Sequence, residues 1–133
     1  MVLDHFDSIA SSYDSRDITS NRRFAIISEA IAKAVYRQQE RTTLLDLGGG
    51  TGRLWGAIEK LSDHETIGYL LLDPSREMLR HARANISGLQ AFLAVGEALP
   101  FRPGSIGCVA CSEVLEHTRN PVIILSQARG ILK

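Results

Sequence analysis

The chain has 133 residues, of which 44% are hydrophobic and 23% are charged, a composition typical of one globular domain. Fifteen basic residues balance fifteen acidic ones, so no net charge favours binding to nucleic acid or to an anionic membrane surface. No apolar run approaches the roughly 20 residues of a membrane-spanning helix, and the first residues do not resemble a secretory signal. We therefore expect a cytoplasmic protein with neither a nucleic-acid partner nor a membrane partner.

The apolar pattern predicts helices and strands that alternate along the chain. Residues 1–18 are polar and mixed, and a helical stripe then begins at an N-cap, Thr19 or Ser20, and ends near Gln39. Further helices are predicted after the glycine-rich loop, over 75–86 and from Asn120-Pro121 onward. Strands are predicted for four short apolar segments, at 43–47, 67–72, 89–95 and 106–112. This alternation predicts an α/β fold, a Rossmann-like, doubly wound parallel sheet with helices on both faces.

Two cysteines, Cys108 and Cys111, have the C-x-x-C spacing of some redox and metal sites. They fall on the fourth predicted strand, where positions three apart point to opposite faces and lie about 10 Å from each other. That distance is beyond the reach of a disulfide, and no second Cys/His cluster completes a zinc site. We expect two buried structural thiols.

A glycine-rich loop, 48–52, follows the first strand directly. Such a loop lets backbone N–H groups and a helix N-terminus face a ligand, although a glycine-rich turn with no ligand has the same pattern. The dinucleotide fingerprint G-x-G-x-x-G requires a third glycine where Arg53 stands, which disfavours a nicotinamide dehydrogenase, and the P-loop signature is absent. Asp46 lies two residues before the first glycine, where a carboxylate suits a cation such as an α-amino group.

Asp73 ends the second predicted strand, 21 residues beyond Gly52. In Rossmann-type folds an acid at this place accepts hydrogen bonds from ribose hydroxyls. The same residue also suits a helix N-cap, with Pro74 in the first helical turn. Both roles are compatible with one carboxylate.

Four parts of the sequence together match one family pattern. Residues 6–14 are similar to F-D-x-x-A-x-x-Y-D, 44–52 to L-D-L-G-x-G-T-G, 72–79 to D-x-S-x-x-M-L, and 97–101 with 112–117 to E-x-L-P-F and S-x-V-L-x-H. In this order they resemble the class I S-adenosylmethionine-dependent methyltransferases, in particular the branch of ubiquinone/menaquinone C-methyltransferases. The match spans nearly the whole chain and is specific as a set.

The resemblance implies that the chain binds S-adenosylmethionine and transfers its methyl group to a small-molecule acceptor. Gly48, Gly50 and Gly52 would let the methionine and ribose portions approach the backbone. Asp46 would lie near the amino group, and Asp73 would hold the ribose hydroxyls.

The other matching positions imply contacts with the rest of the cofactor. Met78 would pack against the adenine, whose edge Gly96 and Glu97 would border. Ser112 and Glu113 would lie beside the sulfonium. The full set implied to bind the cofactor is Tyr13, from an N-terminal lid over residues 1–18, with Asp46, Gly48, Gly49, Gly50, Gly52, Asp73, Pro74, Met78, Gly96, Glu97, Ser112 and Glu113.

The chain departs from the family pattern at two places. Val95 stands where the family usually has an Asp that reaches the adenine amino group, which leaves backbone groups or Glu97 for that task. Ile106-Gly107 replaces the usual F-D pair at the start of the fourth strand, a change that concerns packing.

Glu113, Glu116 and His117 form an E-x-x-E-H spacing through which some relatives bind a divalent metal. Most members with a similar segment have no known need for one, so we expect no metal. His117 is the candidate general base, for an acceptor that must lose a proton.

The resemblance also implies an incomplete sheet, within one domain over 1–133. A complete family sheet has the strand order 3-2-1-4-5-7-6, and this sequence predicts only 3-2-1-4, a partial class I methyltransferase fold. A second hypothesis is therefore a truncated cofactor-binding module without turnover. The fourth strand would be an uncovered edge, which predicts a homodimer through antiparallel pairing of two such edges.

Overall fold

The computed structural model describes residues 2–16, 20–37, 40–62 and 64–133. The predicted N-cap Thr19, the helix end near Gln39 and part of the 1–18 segment lie outside these ranges. Six α-helices are described: α1 (Val2–Ile9), α2 (Tyr13–Arg16), α3 (Ser20–Tyr36), α4 (Arg53–Ile58), α5 (Arg76–Asn85) and α6 (Pro121–Ile131). Four strands are described: β1 (Thr42–Leu47), β2 (Ile67–Asp73), β3 (Gln90–Leu93) and β4 (Cys108–Cys111). Short 3₁₀ turns occur at Ala10–Ser12, His64–Thr66 and Leu115–His117.

The four strands form one parallel sheet in the order β3-β2-β1-β4. β1 lies at the centre, with Thr42 opposite Ile67 on β2 and Leu44 opposite Cys108 on β4. The prediction of an α/β fold with a parallel 3-2-1-4 sheet is confirmed. Because β1 and β2 are neighbours in the middle of the sheet, their carboxyl ends bring the glycine-rich loop next to Asp73.

Helices cover both faces of the sheet. On one face Leu44 packs with Ile31 of α3 and Leu54 of α4, and the adjoining Leu71 packs with Leu79 of α5. The other face is covered by α6, whose buried side chains pack against Leu45, Leu47 and Leu72. Burial on both sides agrees with the three leucines of β1, Leu44, Leu45 and Leu47, of which neighbouring Leu44 and Leu45 face opposite sides of the sheet.

The last two strands are shorter than the pattern predicts. β3 covers 90–93 instead of 89–95, and β4 covers 108–111 instead of 106–112. Before β4, Gly107 passes so close to β1 that an added Cβ would lie 1.9 Å from the hydroxyl oxygen of Thr42. The departure from the family pattern at this position thus serves close packing.

The beginning of the predicted fourth strand, at Ile106, is not an uncovered edge, which corrects the prediction at this point. Ile106 forms a parallel bridge with Leu132. Its N–H donates to the Ile131 carbonyl, and its own carbonyl accepts from the Lys133 N–H, both at 3.0 Å. The last residues of the chain therefore pair beside Ile106, ahead of β4.

The two cysteines lie on opposite faces of β4, as predicted. Cys108 packs on the α3 and α4 side, and Cys111 packs on the α6 side. Both thiols are free and half-buried, so the expectation of buried thiols is wrong. Burial still raises the pKa of each thiol, which keeps the unreactive protonated form.

α6 buries less of its apolar surface than its sequence suggests. Ile124 and Ile131 are buried, whereas Val122 is 71% exposed and Leu125 is 52% exposed. Within the described ranges, no helix combines the length and the apolar character that crossing a membrane would require.

Candidate functional site

A cleft of about 310 Å³ opens where β1, β2 and β4 end, at the carboxyl edge of the sheet. This volume lies at the lower end of the range for small-molecule sites. Most of the residues implicated by the sequence line this cleft together: Tyr13, Gly48, Gly50, Asp73, Pro74, Met78, Gly96, Glu97, Ser112, Glu113 and His117. Open α/β sheets bind ligands at this edge, so the location suits the sequence-based expectation.

Three implicated residues do not line the main cleft. Asp46 and Gly49 line a smaller adjoining cavity, which shares Tyr13 and Glu113 with the cleft. Gly52 lies outside both, at the start of α4 with φ +86°, and an added Cβ would come within 2.5 Å of the Ile86 side chain. Gly52 therefore begins α4 and packs closely against Ile86.

The glycine-rich loop leaves room for a ligand at Gly50. This residue has φ +56°, a conformation that favours glycine. Only one atom, the sulfur of Met78 at 3.9 Å, lies within 4 Å of a Cβ added at Gly50. The absence of a side chain at Gly50 therefore keeps open the space between the loop and Met78.

Asp73 is held by backbone groups from the two loops that flank it. One carboxylate oxygen accepts from the Gly50 N–H at 3.0 Å, and the other accepts from the Ser75 N–H at 2.8 Å. Burial raises the pKa of Asp73, these two hydrogen bonds oppose the rise, and the nearby charge of Asp7 adds to it. Each oxygen retains a second acceptor position, which suits a pair of neighbouring hydroxyls.

The helix N-cap after β2 is Ser75 and not Asp73. The Ser75 hydroxyl accepts from the Met78 N–H at 3.1 Å at the start of α5. Asp73 does not cap the helix. Its two oxygens accept from the loops instead, and the residue lines the cleft.

Asp46 is an interior carboxyl with a specific partner. It is 3% exposed, and the Tyr69 hydroxyl donates to it at 2.6 Å. Burial raises the pKa of Asp46 to about 7, an effect that the Tyr69 hydrogen bond opposes and the charge of Asp73 reinforces. Asp46 therefore changes protonation state near neutral pH, in the lining of the smaller cavity.

His117 and Glu113 are exposed residues that line the same cleft as Asp73. His117 ends the 3₁₀ turn after β4, and its ring packs edge-on against Phe6 with 5.3 Å between centroids. Glu113 has φ +56°, an uncommon conformation for a residue with a side chain, and it forms an ion pair with Arg23 of α3. Strained residues of this kind concentrate at functional sites.

The E-x-x-E-H segment does not assemble as a metal-binding cluster. Across the described ranges, no three His, Cys, Asp or Glu side chains come together in a way that would hold a metal ion. Glu113 instead faces Arg23. The expectation that metal is dispensable remains a prediction.

Several lining residues were not identified from the sequence as binding residues. Ser75 and Phe6 belong to the quoted motifs, so a closer reading of those motifs would have included them. Arg23 has no local signal, because its ion pair spans 90 residues. The further lining residues are Leu3, Val95, Val114, Thr118 and Ile124.

Comparisons of the sequence with known proteins identify its family. A family model described as a methyltransferase domain matches residues 45–133. The ubiquinone/menaquinone biosynthesis C-methyltransferase UbiE of Escherichia coli is 30% identical over 146 residues, covering 100% of this chain and 55% of that protein. An uncharacterized 37.1 kDa protein in transposon TN4556 of Streptomyces fradiae is 34% identical over 94 residues, covering 67% of this chain and 26% of that protein. The chain thus spans about a quarter to about half of these relatives.

Solved structures share the fold. A putative methyltransferase in complex with the Haloferax volcanii Trm112 methyltransferase activator has a TM-score of 0.72 and 26% identity, and the match covers 96% of this chain and 55% of that one. A putative S-adenosyl-L-methionine-dependent methyltransferase from Methanococcus maripaludis has a TM-score of 0.72 and 20% identity, with 98% and 57% covered.

Proposed function

Because the chain belongs to the methyltransferase domain family, we propose that it binds S-adenosylmethionine in this cleft and transfers the methyl group to a small-molecule acceptor. The observation that carries the proposal is the geometry of Asp73. Its carboxylate is oriented by two backbone N–H groups and retains acceptor positions for the two ribose hydroxyls.

The remaining cleft residues fit the other parts of the cofactor. Met78, Gly96 and Glu97 all line the cleft, and we assign the adenine to them. Glu97 is itself oriented by the Thr118 hydroxyl, which donates to it at 2.8 Å. The methionine portion would extend past Gly50 toward the smaller cavity, where Asp46 would meet the amino group.

Bound S-adenosylmethionine supplies a methyl group on a sulfonium, which is an activated leaving group. The protein then has to bring the acceptor into line, and such alignment lowers barriers by up to about 7–11 kcal/mol in favourable cases. His117 lines the same cleft and is our proposed base for an acceptor that must lose a proton. Phe6, edge-on to the imidazole, would keep that ring at the rim.

The lining of the cleft supports an acceptor with an aromatic or apolar body. Leu3, Phe6, Val114 and Ile124 contribute apolar side chains to the lining of the cleft. The UbiE relative acts in ubiquinone/menaquinone biosynthesis, according to its name. A cytoplasmic location is also part of this proposal, as is the absence of a nucleic-acid partner, which rests on the balanced charge.

A second candidate is activity that depends on a partner protein. The Haloferax volcanii match is to a methyltransferase in complex with an activator. Turnover of small-molecule acceptors by the purified chain alone would argue against this candidate. Turnover that appears only after an activator protein is added would support it.

Calorimetry with three ligands tests the proposal. We expect S-adenosylmethionine and S-adenosylhomocysteine to bind and NAD, the control, to give no heat of binding. Binding of NAD alone would contradict the proposal. Release of S-adenosylhomocysteine in the presence of candidate acceptors then separates an enzyme from a module that binds the cofactor without turnover.

A further inference from the structure

Two aspartates of the N-terminal helical segment contact the loops of the cofactor cleft. Asp7 on α1 accepts a hydrogen bond from the Ser75 hydroxyl, and Asp14 on α2 accepts one from the Thr51 hydroxyl at 2.5 Å. Bonds from a hydroxyl to a carboxylate are shorter and about twice as strong as those between neutral groups. The segment is thus attached at two points that are seven residues apart.

Both hydroxyls belong to the loops that orient Asp73. Ser75 donates its backbone N–H to one oxygen of Asp73, and Gly50, next to Thr51, donates to the other. Asp7 and Asp14 therefore contact the same two loops whose backbone N–H groups bind Asp73.

Each aspartate directly follows an aromatic residue of the cleft. Phe6 precedes Asp7 and Tyr13 precedes Asp14, and both rings line the cleft. The two rings contact each other edge-on with centroids 6.3 Å apart, and Phe6 also contacts His117 across the opening. Each aspartate contact therefore lies one residue from a ring that lines the cleft.

The burial of the hydroxyl donors and of the two aspartates differs, and it indicates that the N-terminal segment can separate from the loops. Ser75 is 1% exposed and Thr51 is 3% exposed, so both donors are part of the packed interior. Asp14 is exposed and Asp7 is half-buried, so water can solvate the carboxylates when the segment lifts. Separation at these contacts requires no change in the sheet.

We propose that Asp7 and Asp14 are positioning residues, a clasp that holds Phe6 and Tyr13 over the cleft and thereby sets the rate at which the cofactor and its product exchange. This inference rests on the proposed function, because the exchanging ligand is S-adenosylhomocysteine or S-adenosylmethionine. Opening the clasp should increase dissociation while leaving association nearly unchanged, since the ligand contacts at Asp73 remain.

Stopped-flow measurements of S-adenosylhomocysteine binding and displacement test the clasp. We expect Asp7→Ala and Asp14→Ala each to increase the dissociation rate roughly tenfold, the effect of losing one charge-assisted hydrogen bond. Association should change by less than about threefold. Asp4→Ala removes an exposed acid from the same helix α1 and is the matched control, with an expected rate close to that of the unchanged protein.

A double-mutant cycle separates the contact from a general structural effect. Asp14→Ala combined with Thr51→Ala should dissociate no faster than either single variant, whereas Thr51→Ser, which keeps the hydroxyl, should stay near the original rate. Additive effects, or unchanged dissociation in variants with native circular dichroism, would overturn the clasp and leave the proposed function intact. Failure of the unchanged protein to bind would overturn both. If Asp14→Ala fails to fold, Asp14→Asn replaces it: the amide oxygen still accepts from Thr51 but carries no charge, so dissociation should increase by less than tenfold, and an unchanged rate would again overturn the clasp.

Discussion

The buried carboxyl of Asp46 makes the stability of the protein depend on pH in a definite direction. Burial raises its pKa from 3.8 to about 7 even though Tyr69 donates a hydrogen bond to it. Between about pH 4 and pH 7 the native chain keeps this proton, whereas the unfolded chain releases it. The free energy of unfolding therefore falls as pH rises through this window and is level above it.

The replacement Asp46→Asn removes this dependence, because an amide does not ionise. A change of about three pKa units corresponds to about 4 kcal/mol, at about 1.36 kcal/mol per unit. The free energy of unfolding of Asp46→Asn, minus that of the unchanged protein, should therefore increase by up to about 4 kcal/mol from pH 4 to pH 7. Because the amide oxygen can still accept from Tyr69, the interior hydrogen bond is preserved.

Urea unfolding at a series of pH values from about 4 to 8, followed by circular dichroism, measures this difference. Glu65→Gln changes an exposed carboxylate and should give a curve parallel to that of the unchanged protein. Tyr69→Phe removes the hydrogen bond that lowers the pKa of Asp46, so its decline in stability should continue to higher pH. Parallel curves for Asp46→Asn and the unchanged protein would refute the assignment of a raised pKa.

Other predictions concern the site and the sheet. Asp73→Ala should weaken S-adenosylhomocysteine binding by about 1–3 kcal/mol in calorimetry, and Glu65→Ala should not; equal affinities would remove Asp73 from the site. Gly107→Ala should lower the free energy of unfolding by about 1–3 kcal/mol, because its Cβ would collide with a buried threonine on β1, whereas Gly56→Ala, with open space around it, should not. Binding should survive exhaustive chelation, and stoichiometric metal in the purified protein would contradict this. A dimer through the β4 edge should appear in sedimentation at micromolar concentration and be loosened by Val109→Lys; a stable monomer would refute it.

The local pattern of the sequence determined the parts of the molecule that depend on neighbours along the chain. The leucines of β1 and the apolar run of β2 are mostly buried, so the sequence pattern identified both strands. The glycine-rich loop and Asp73 follow those strands immediately, and parallel strands place their carboxyl ends together. The location of the site followed from these facts.

Only the tertiary structure decided what depends on residues distant in sequence. Asp46 accepts a hydrogen bond from Tyr69 on the adjacent strand, 23 residues away. Arg23 forms an ion pair with Glu113, 90 residues away. The start of β4 is set by Gly107 passing against β1, and the exposure of Val122 is set by how α6 lies on the sheet. The physical reason is that burial, pKa values and pairing are properties of the environment that packing creates, whereas periodicity reports only which residues are apolar.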